Sequence, residues 1–435
     1  MKIQFPFLST SIETDILGVL LLTPLWMVLG FNIFIYQGIT LLVLMKWMIL
    51  SRSYGESLSI PRPLVWFGFY LLAYWCSLLI NFGNLSLQRI LASINSYLIY
   101  IMGFFLALVS YHSASWGFLL RFLRVGRHLC LVTGILTLFC LGLWYAGYKN
   151  LYFDTLVGKV LPGLMRFPYF YSQLQMTLTR TDILSISVPR IDIYNGSTTD
   201  TGGFMLLIIP LLMAFYGLQP KKKWEYCLLF VISFVPLLAS MSRSALCTFI
   251  GSLVLVNFIE RRKDIYYSVF GFIAVLLASN FILRSLFWLS KIREISTNAR
   301  LQLYAKALRE VIEKNPLIGV GVKLRDGFTM TAIGSHSTYV GIVLVTGFVG
   351  FTFYMLFQFF ILRTWYAQRN HLRNHDELVI WKYLGMAFIA TSVFLSTENL
   401  DNLPYYAYGY FVLVACILFF SALLTEKPVD LSQIR

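Results

Sequence analysis

The sequence predicts an all-α integral membrane protein with about twelve transmembrane helices. Of its 435 residues, 58% are hydrophobic and only 13% are charged, and the mean hydropathy is +0.71. A soluble chain of this length needs far more polar surface, so this composition excludes a soluble globular protein. Apolar runs long enough to cross the hydrocarbon core also recur along the whole chain.

Twelve apolar runs can be placed in order along the chain. The first two are short and form a tight hairpin around Gly30, and polar connections separate the others. The predicted spans are residues 16–30, 33–50, 64–81, 95–111, 129–148, 203–218, 224–240, 245–259, 266–287, 339–362, 378–395 and 405–424.

The positions of the basic residues support this topology. If the amino terminus is cytoplasmic, every second connection is short and carries a basic cluster, as the positive-inside rule requires. We therefore expect both termini in the cytoplasm, and the start of the chain shows no cleavable signal peptide. The cytoplasmic clusters contain Arg52, Arg62, Arg121, Arg124, Arg127, Lys221, Lys222, Lys223, Arg261, Arg262, Lys263, Arg363, Arg369 and Arg373.

This topology divides the chain into five parts, two of which are long loops on the outer side. Neither loop is of low complexity, and no internal repeat is visible. The parts are residues 1–148 with spans one to five, 149–202 as the first outer loop, 203–287 with spans six to nine, 288–338 as the second outer loop, and 339–435 with the last three spans and a cytoplasmic tail.

The second outer loop contains a predicted amphipathic helix from Asn298 to Lys314. Asn298 is suited to cap it, and Pro316 follows its end. We expect the helix to lie in the outer membrane interface with its basic residues towards the head groups. Its apolar stripe consists of Leu301, Tyr304, Leu308, Val311 and Ile312.

An excess of positive charge on the outer side points to function. Nearly half of the 35 lysines and arginines are predicted to lie there, against the positive-inside rule. A solvated loop attracted to anionic lipid explains any single residue equally well. For the whole set, an anionic substrate at the outer interface is the simpler explanation, so the net charge of +15 does not indicate nucleic acid.

Arg243 is the most specific of these basic residues. It lies in Ser242-Arg243-Ser244, between two spans with almost no loop. If Ser242 caps the following helix, free backbone N–H groups, the helix dipole and the guanidinium converge on one point, which suits a phosphate. An arginine that reaches the lipid head groups from the end of a span is an equally common alternative.

His336 and two carboxylates are the other polar groups expected on the outer side. His336 is the only histidine predicted there, and a neutral imidazole can accept a proton from a sugar hydroxyl, although a lone loop histidine is more often structural. Glu398 and Asp401 follow the eleventh span. Carboxylates at this depth need partners such as Arg300, or they cap the turn before Pro404.

The six cysteines indicate neither disulfides nor a metal site. All lie within or beside apolar runs, and no C-x-x-C spacing occurs. They are therefore interpreted as small residues of the helix packing, and no metal is expected.

Three motifs, in this order, resemble the O-antigen ligase and polymerase superfamily of bacterial inner-membrane glycosyltransferases. The similarity extends over roughly residues 190 to 400, and the combined order and spacing are more specific than any single motif. The motifs are Ser-Arg-Ser at 242–244, Ala-Arg-Leu-Gln-Leu-Tyr at 299–304 with Asn-Pro-Leu-Ile-Gly-Val-Gly at 315–321, and Ser-His-Ser-Thr-Tyr at 335–339 with Gly-Phe-Val-Gly at 347–350.

The resemblance implies a fold similar to that of the GT-C glycosyltransferases and transfer of a glycan from undecaprenyl diphosphate at the periplasmic face, with inversion and without metal or other cofactor. It implies that Arg243 and Arg300 bind the diphosphate, with Arg190 a weaker candidate, and that His336 activates the acceptor. Glu398, Asp401 and Tyr339 are expected to support them. The expected partners are the lipid-linked oligosaccharide, a glycan acceptor, the bilayer and a chain-length regulator.

The acceptor distinguishes the two main functional alternatives. Many ligases of this family place Asn directly after the histidine, whereas Ser337 follows it here, which favours a polymerase that uses another lipid-linked repeat. A ligase would use the lipid A-core instead. A lipid-linked oligosaccharide flippase is a third hypothesis, but transporters usually carry charged residues mid-span and repeated halves, and neither is evident here.

Overall fold

The computed structural model describes residues 6–54, 59–166, 171, 173–183, 187–194, 198–219, 222–261, 294–325, 332–334 and 336–425. Over these ranges the chain is a bundle of long apolar helices with one small sheet, as expected for an all-α membrane protein. The helices are α1 (Pro6–Leu21), α2 (Thr23–Leu29), α3 (Ile35–Tyr54), α4 (Arg62–Asn81), α5 (Leu87–Ser113), α6 (Trp116–Tyr145), α7 (Leu156–Val160), α8 (Thr198–Gly217), α9 (Lys223–Ala239), α10 (Arg243–Arg261), α11 (Glu294–Lys314), α12 (Thr338–Gln368), α13 (His375–Phe394) and α14 (Pro404–Thr425).

Within the described residues, eight helices are long and apolar enough to cross a membrane, and the pair α1 and α2, bent by 59°, could form a ninth span. These eight are α4, α5, α6, α8, α10, α12, α13 and α14. The shorter apolar helix α9 and the helix α3 coincide with two more predicted spans. The predicted span 266–287 lies outside the described residues, so the total of twelve stays a prediction.

The most buried helices lie at the centre of the bundle. Nearly all of α8 is buried, as are most of α13 and α14, whereas less than half of the apolar stretch is buried in α5, α6 and α10, as expected for helices that face lipid. Glycines allow the close packing: a Cβ on Gly126 of α6 would lie 2.4 Å from Leu211 on α8. Without a hydrophobic drive between helices in lipid, such close approach stabilises the bundle by van der Waals contact.

Ion pairs join the connections that the sequence analysis placed on the cytoplasmic side. Arg127 on α6 contacts Glu225 on α9 at 2.5 Å. Lys382 on α13 contacts Glu260 at the end of α10 at 2.7 Å, and Arg369 donates to the Glu260 carbonyl at 2.5 Å. These contacts place the basic clusters of different connections at one end of the bundle, as the alternation of charge predicted.

The first long outer loop contains a three-stranded antiparallel sheet, which the sequence analysis did not predict. Its strands are β1 (Leu151–Asp154), β2 (Gln175–Ile183) and β3 (Ser187–Ile191), in the order β1-β2-β3. β3 is short and contains Pro189, which weakens a strand signal in sequence. In the register of the sheet, Arg180 pairs directly with Arg190.

The helix α11 in the second outer loop confirms the predicted element but corrects its details. It begins by Glu294, so Asn298 lies inside the helix and is not its cap. Val311 is buried, together with Ala307, against Val343 and Leu344 of α12. Three residues of the predicted apolar stripe, Leu301, Leu308 and Ile312, are exposed instead. The face of α11 that packs on α12 is the one that contains Ala307 and Val311.

The helix α12 is interrupted by a break in its backbone at Gly347. Gly347 has φ +65°, and the segment after α11 supplies the hydrogen bonds that the break would otherwise lose. Val320 N donates to Leu344 O at 2.9 Å, and Gly321 N donates to Val345 O at 3.0 Å. Non-helical backbone inside a membrane bundle is tolerated only where protein groups satisfy it in this way.

Candidate active site

His336 stands immediately before α12 in a conformation that few non-glycine residues adopt. Its φ is +67°, in the left-handed region that costs about 1 kcal/mol or more for a residue with a Cβ. Ser337 caps α12 by accepting from Val340 N at 3.2 Å, and the Tyr304 hydroxyl donates to the His336 carbonyl at 2.5 Å. α11 and the start of α12 therefore fix the backbone of His336 between them.

Glu398 bridges His336 and Arg300. Its Oε1 lies 3.1 Å from Arg300 Nη2, and its Oε2 lies 3.7 Å from His336 Nδ1. Arg300 Nη1 also donates to the Thr397 carbonyl at 3.3 Å. The Glu398 side chain is 8% exposed, whereas that of His336 is 33% exposed, so the carboxylate lies beneath an imidazole that remains accessible.

The electrostatics of this group favour an ionised Glu398. Burial raises the pKa of its carboxyl, but the polar contact with His336, the charge of Arg300 and a hydrogen bond with Thr199 together outweigh burial. The pKa of Glu398 therefore lies below its ordinary value. A buried carboxylate held in this way requires its cationic partners.

Arg190 and Arg243 extend the positive charge around this group. Arg243 is the first residue of α10, and Ser242 caps that helix as predicted, accepting from Ala245 N at 3.3 Å. Arg190 on β3 donates through Nε to the carbonyl of Ser240, just before α10, at 3.3 Å. The charge of Arg300 acts on both Arg190 and Arg243, so a strand and two helices bring the three arginines together.

This concentration of like charge is unfavourable without an anion. Arg190 stands directly opposite Arg180 in the sheet, where like charges destabilise the pairing. The pKa of Arg190 is lowered to about 10, chiefly by burial. The charges of Arg180 and Arg300 also lower it, whereas those of Asp192 and Glu398 raise it. Arg190 nevertheless remains protonated at neutral pH. A phosphate placed here would relieve the repulsion through charge-assisted hydrogen bonds.

The sequence analysis gave no role to Asp192 or to the amino terminus of α8, which also border the site. The Thr201 hydroxyl donates to Asp192 Oδ1 at 3.2 Å, and Thr199 hydrogen-bonds Glu398. The pKa of Asp192 is raised to about 6 because the effect of burial exceeds that of the groups that lower it. Those groups are the hydrogen bonds from Thr201 and Tyr194 and the charge of Arg190. The polar run at the start of α8 was the only sequence signal for these contacts.

The other two predicted site residues lie beside this group. Asp401, 2% exposed, pairs with Lys323 Nζ at 2.6 Å, and the Tyr339 hydroxyl donates to the Ser392 carbonyl of α13 at 2.7 Å. Both side chains therefore hold neighbouring elements together, and their expected supporting roles stay predictions. Among the described residues, no group of three or more His, Cys, Asp or Glu side chains is placed to hold a metal ion.

The comparison with protein families bears on the same residues. Residues 228–355 match the family model described as O-antigen ligase. This segment, which contains all three motifs, is that of the O-antigen ligase and polymerase superfamily, as the sequence predicted. The matched segment contains Arg243, Arg300 and His336, whereas Arg190 and Glu398 lie outside it. No curated protein matches the chain. Together with the apolar helices, the match supports a multi-pass membrane protein with a function of the general ligase or polymerase type.

Proposed function

We propose that this member of the superfamily is a polysaccharide polymerase of the bacterial inner membrane. It transfers a glycan from undecaprenyl diphosphate to a sugar hydroxyl of another lipid-linked repeat, at the periplasmic face. The observation that carries this proposal is the convergence of Arg190, Arg243 and Arg300 beside the pair formed by His336 and Glu398.

The three arginines bind the diphosphate of the donor. Arginine presents a planar fork of N–H donors that matches phosphate oxygens, and the first turn of α10 adds backbone N–H groups and the positive end of a helix dipole. Negative charge develops on the diphosphate as it leaves. Positive groups held in place before the reaction stabilise that charge without reorganisation, so this role asks for no metal or other cofactor.

His336 is the general base for the acceptor. The hydroxyl oxygen of the acceptor attacks the anomeric carbon from the face opposite the diphosphate, and its proton passes to Nε2 of the imidazole. The bond from the anomeric carbon to the diphosphate oxygen breaks, and the electron pair leaves with undecaprenyl diphosphate. The anomeric centre is thereby inverted. Nδ1, on the other edge of the ring, faces Glu398.

The sidedness of the proposal follows from charge. The basic clusters joined by Glu225 and Glu260 occupy one end of the bundle, which the positive-inside rule assigns to the cytoplasm. Both termini then lie in the cytoplasm, and the arginine cluster lies in the periplasm, where the two outer loops meet the bilayer. The partners are the lipid-linked oligosaccharide, the acceptor glycan and a chain-length regulator.

Ligation to the lipid A-core is the second candidate, and the family match supports it as well as it supports polymerisation. Ser337 argues for a polymerase only through the resemblance. In the structure Ser337 serves as a helix cap, and Asn caps a helix equally well. The fold therefore supplies no physical reason for one residue over the other.

The glycan profile of a deletion strain separates these functions. A lost polymerase leaves lipid A-core that carries a single repeat, and this is the expected result. Bare core, with long chains retained on undecaprenyl diphosphate, would instead identify a ligase. An unchanged profile would contradict both functions.

A further inference from the structure

Arg300, a proposed ligand of the donor, is already engaged by an acid in this structure. Its Nη2 contacts Glu398 Oε1 at 3.1 Å, and its Nη1 donates to the Thr397 carbonyl at 3.3 Å. The same carboxylate reaches towards His336 with its other oxygen, but 3.7 Å is too long for a hydrogen bond. Glu398 is therefore shared between the donor-binding group and the proposed base, and its shorter contact is with the former.

We propose that Glu398 is a positioning residue that holds Arg300 in the empty enzyme and turns to His336 once the donor diphosphate binds Arg300. The inference rests on the proposed function and adds an order of events to it. His336 becomes the stronger proton acceptor only after the donor is in place. The acceptor hydroxyl is therefore activated in the complete complex.

The competition for Arg300 favours the diphosphate. A diphosphate ester carries more negative charge than one carboxylate and offers more acceptor oxygens to the guanidinium fork. Arg190 and Arg243 bring further positive charge to the same place. Glu398 has neither advantage, so it is the partner that is displaced.

A released Glu398 has little choice of new partner. Its side chain is 8% exposed, and a buried carboxylate without a cationic partner is strongly destabilising. The His336 Nδ1 is already at 3.7 Å, and a movement of about 1 Å gives a charge-assisted hydrogen bond. That bond fixes the ring orientation and stabilises the imidazolium that forms as His336 accepts the proton, as a buried acid does for the histidine of a catalytic triad.

Several elements contribute the charged and polar groups around Glu398. Arg300 and Tyr304 belong to α11, Arg190 to β3, and His336 precedes α12. Thr199 of α8 adds a neutral hydrogen bond. Removal of the Glu398 carboxylate leaves these other groups in place, so a shift of the pH–rate profile reports on its contact with His336.

The test compares Glu398→Gln with Glu398→Asp and Glu310→Gln, using full-length protein in proteoliposomes with purified lipid-linked repeats as donor and acceptor. Glu310→Gln is the matched control, because it breaks an ion pair to Lys314 on α11, the helix that also contains Arg300. The variants are first compared by their amounts in the membrane and their melting temperatures in detergent. Rates are then measured as a function of pH and of donor concentration.

We expect Glu398→Gln to lower kcat by about tenfold or more without raising the KM for the donor, because Arg300 is released rather than lost. The acid limb of its pH–rate profile should move to lower pH, because the imidazolium loses its counter-charge. Glu398→Asp should keep the acid limb of the wild-type protein. Glu310→Gln should keep it too, whatever its effect on stability.

Two results would overturn the inference: a Glu398→Gln protein whose acid limb does not move, or one whose donor KM rises while kcat is unchanged. Failure of the proposed function is distinguishable from both, since the wild-type protein would then transfer no glycan from the lipid-linked donor.

Discussion

At the scale of single residues, the site is built from charges that are unfavourable in isolation. Arg300 repels both Arg190 and Arg243, and Glu398 is a buried acid. Two of these side chains are held by hydrogen bonds to backbone carbonyls, Arg190 to that of Ser240 and Arg300 to that of Thr397. Unfavourable charges of this kind are typical of a functional site that binds a charged ligand.

Replacement of Arg243 by Ala should weaken donor binding by about tenfold or more, since a charge-assisted contact contributes about 1.5–3 kcal/mol. Arg261→Ala is the matched control, because Arg261 is an exposed residue at the other end of the same helix. Donor affinity is measured by titration of the purified proteins with the lipid-linked donor. An Arg243→Ala protein with the affinity of the control would count against the phosphate site.

Asp192 gives a prediction for stability as a function of pH. Its pKa is raised from 3.8 to about 6 in the folded protein, so the folded state binds more protons than the unfolded state between these values. The free energy of unfolding therefore falls as pH rises through this window. Asp192→Asn should remove that part of the slope, measured as melting temperature in detergent from pH 4 to pH 7. Parallel curves for the two proteins would exclude the effect.

The sequence predicted the site residues better than it predicted their partners. Arg243 was recognised from the very short loop in which it lies, and His336 because it is the only histidine predicted on the outer side. Both features can be read from the sequence alone. Glu398 was expected to need a partner such as Arg300, and the structure places both Arg300 and His336 against it. The pairing of Asp401 with Lys323 and the contact from Thr199 depend on long-range packing, which no local pattern encodes.

At the scale of elements, hydropathy located the long helices but not their irregularities. The break in α12 at Gly347 falls inside an uninterrupted apolar run, so composition gives no sign of it. The sheet β1-β2-β3 was missed because short strands in an outer loop lack a continuous alternating pattern. α11 was predicted as a helix, but its packing face contains the small residue Ala307. The prediction considered only a stripe of large apolar residues.

The break in α12 should be intolerant of a side chain at Gly319. A Cβ there would lie 2.4 Å from Gly347 N, and φ is +78°, so Gly319→Ala should destabilise the protein by at least about 1 kcal/mol. The control is Gly38→Ala in α3, where a Cβ would have nothing within 4 Å. The two variants are compared by melting temperature in detergent. Equal melting temperatures would show that the close backbone contact is unimportant.

At the scale of the whole molecule, charge divides the bundle into two ends. One end contains the basic connections joined by Glu225 and Glu260, and the other contains the arginine cluster with Glu398 and His336. The sequence predicted this division because the positive-inside rule acts on composition. The convergence of β3, α10 and α11 is a property of the folded bundle, which only the structure supplies.

The most direct test of the account is glycan transfer by His336→Ala protein. The variant and the wild-type protein are reconstituted in equal, folded amounts with purified lipid-linked repeats, and chain growth is followed by gel. His371→Ala serves as the control, since that histidine lies in the connection between α12 and α13. We expect the His336→Ala protein to transfer no glycan and the His371→Ala protein to transfer glycan as the wild-type protein does. Full transfer by His336→Ala would contradict the account.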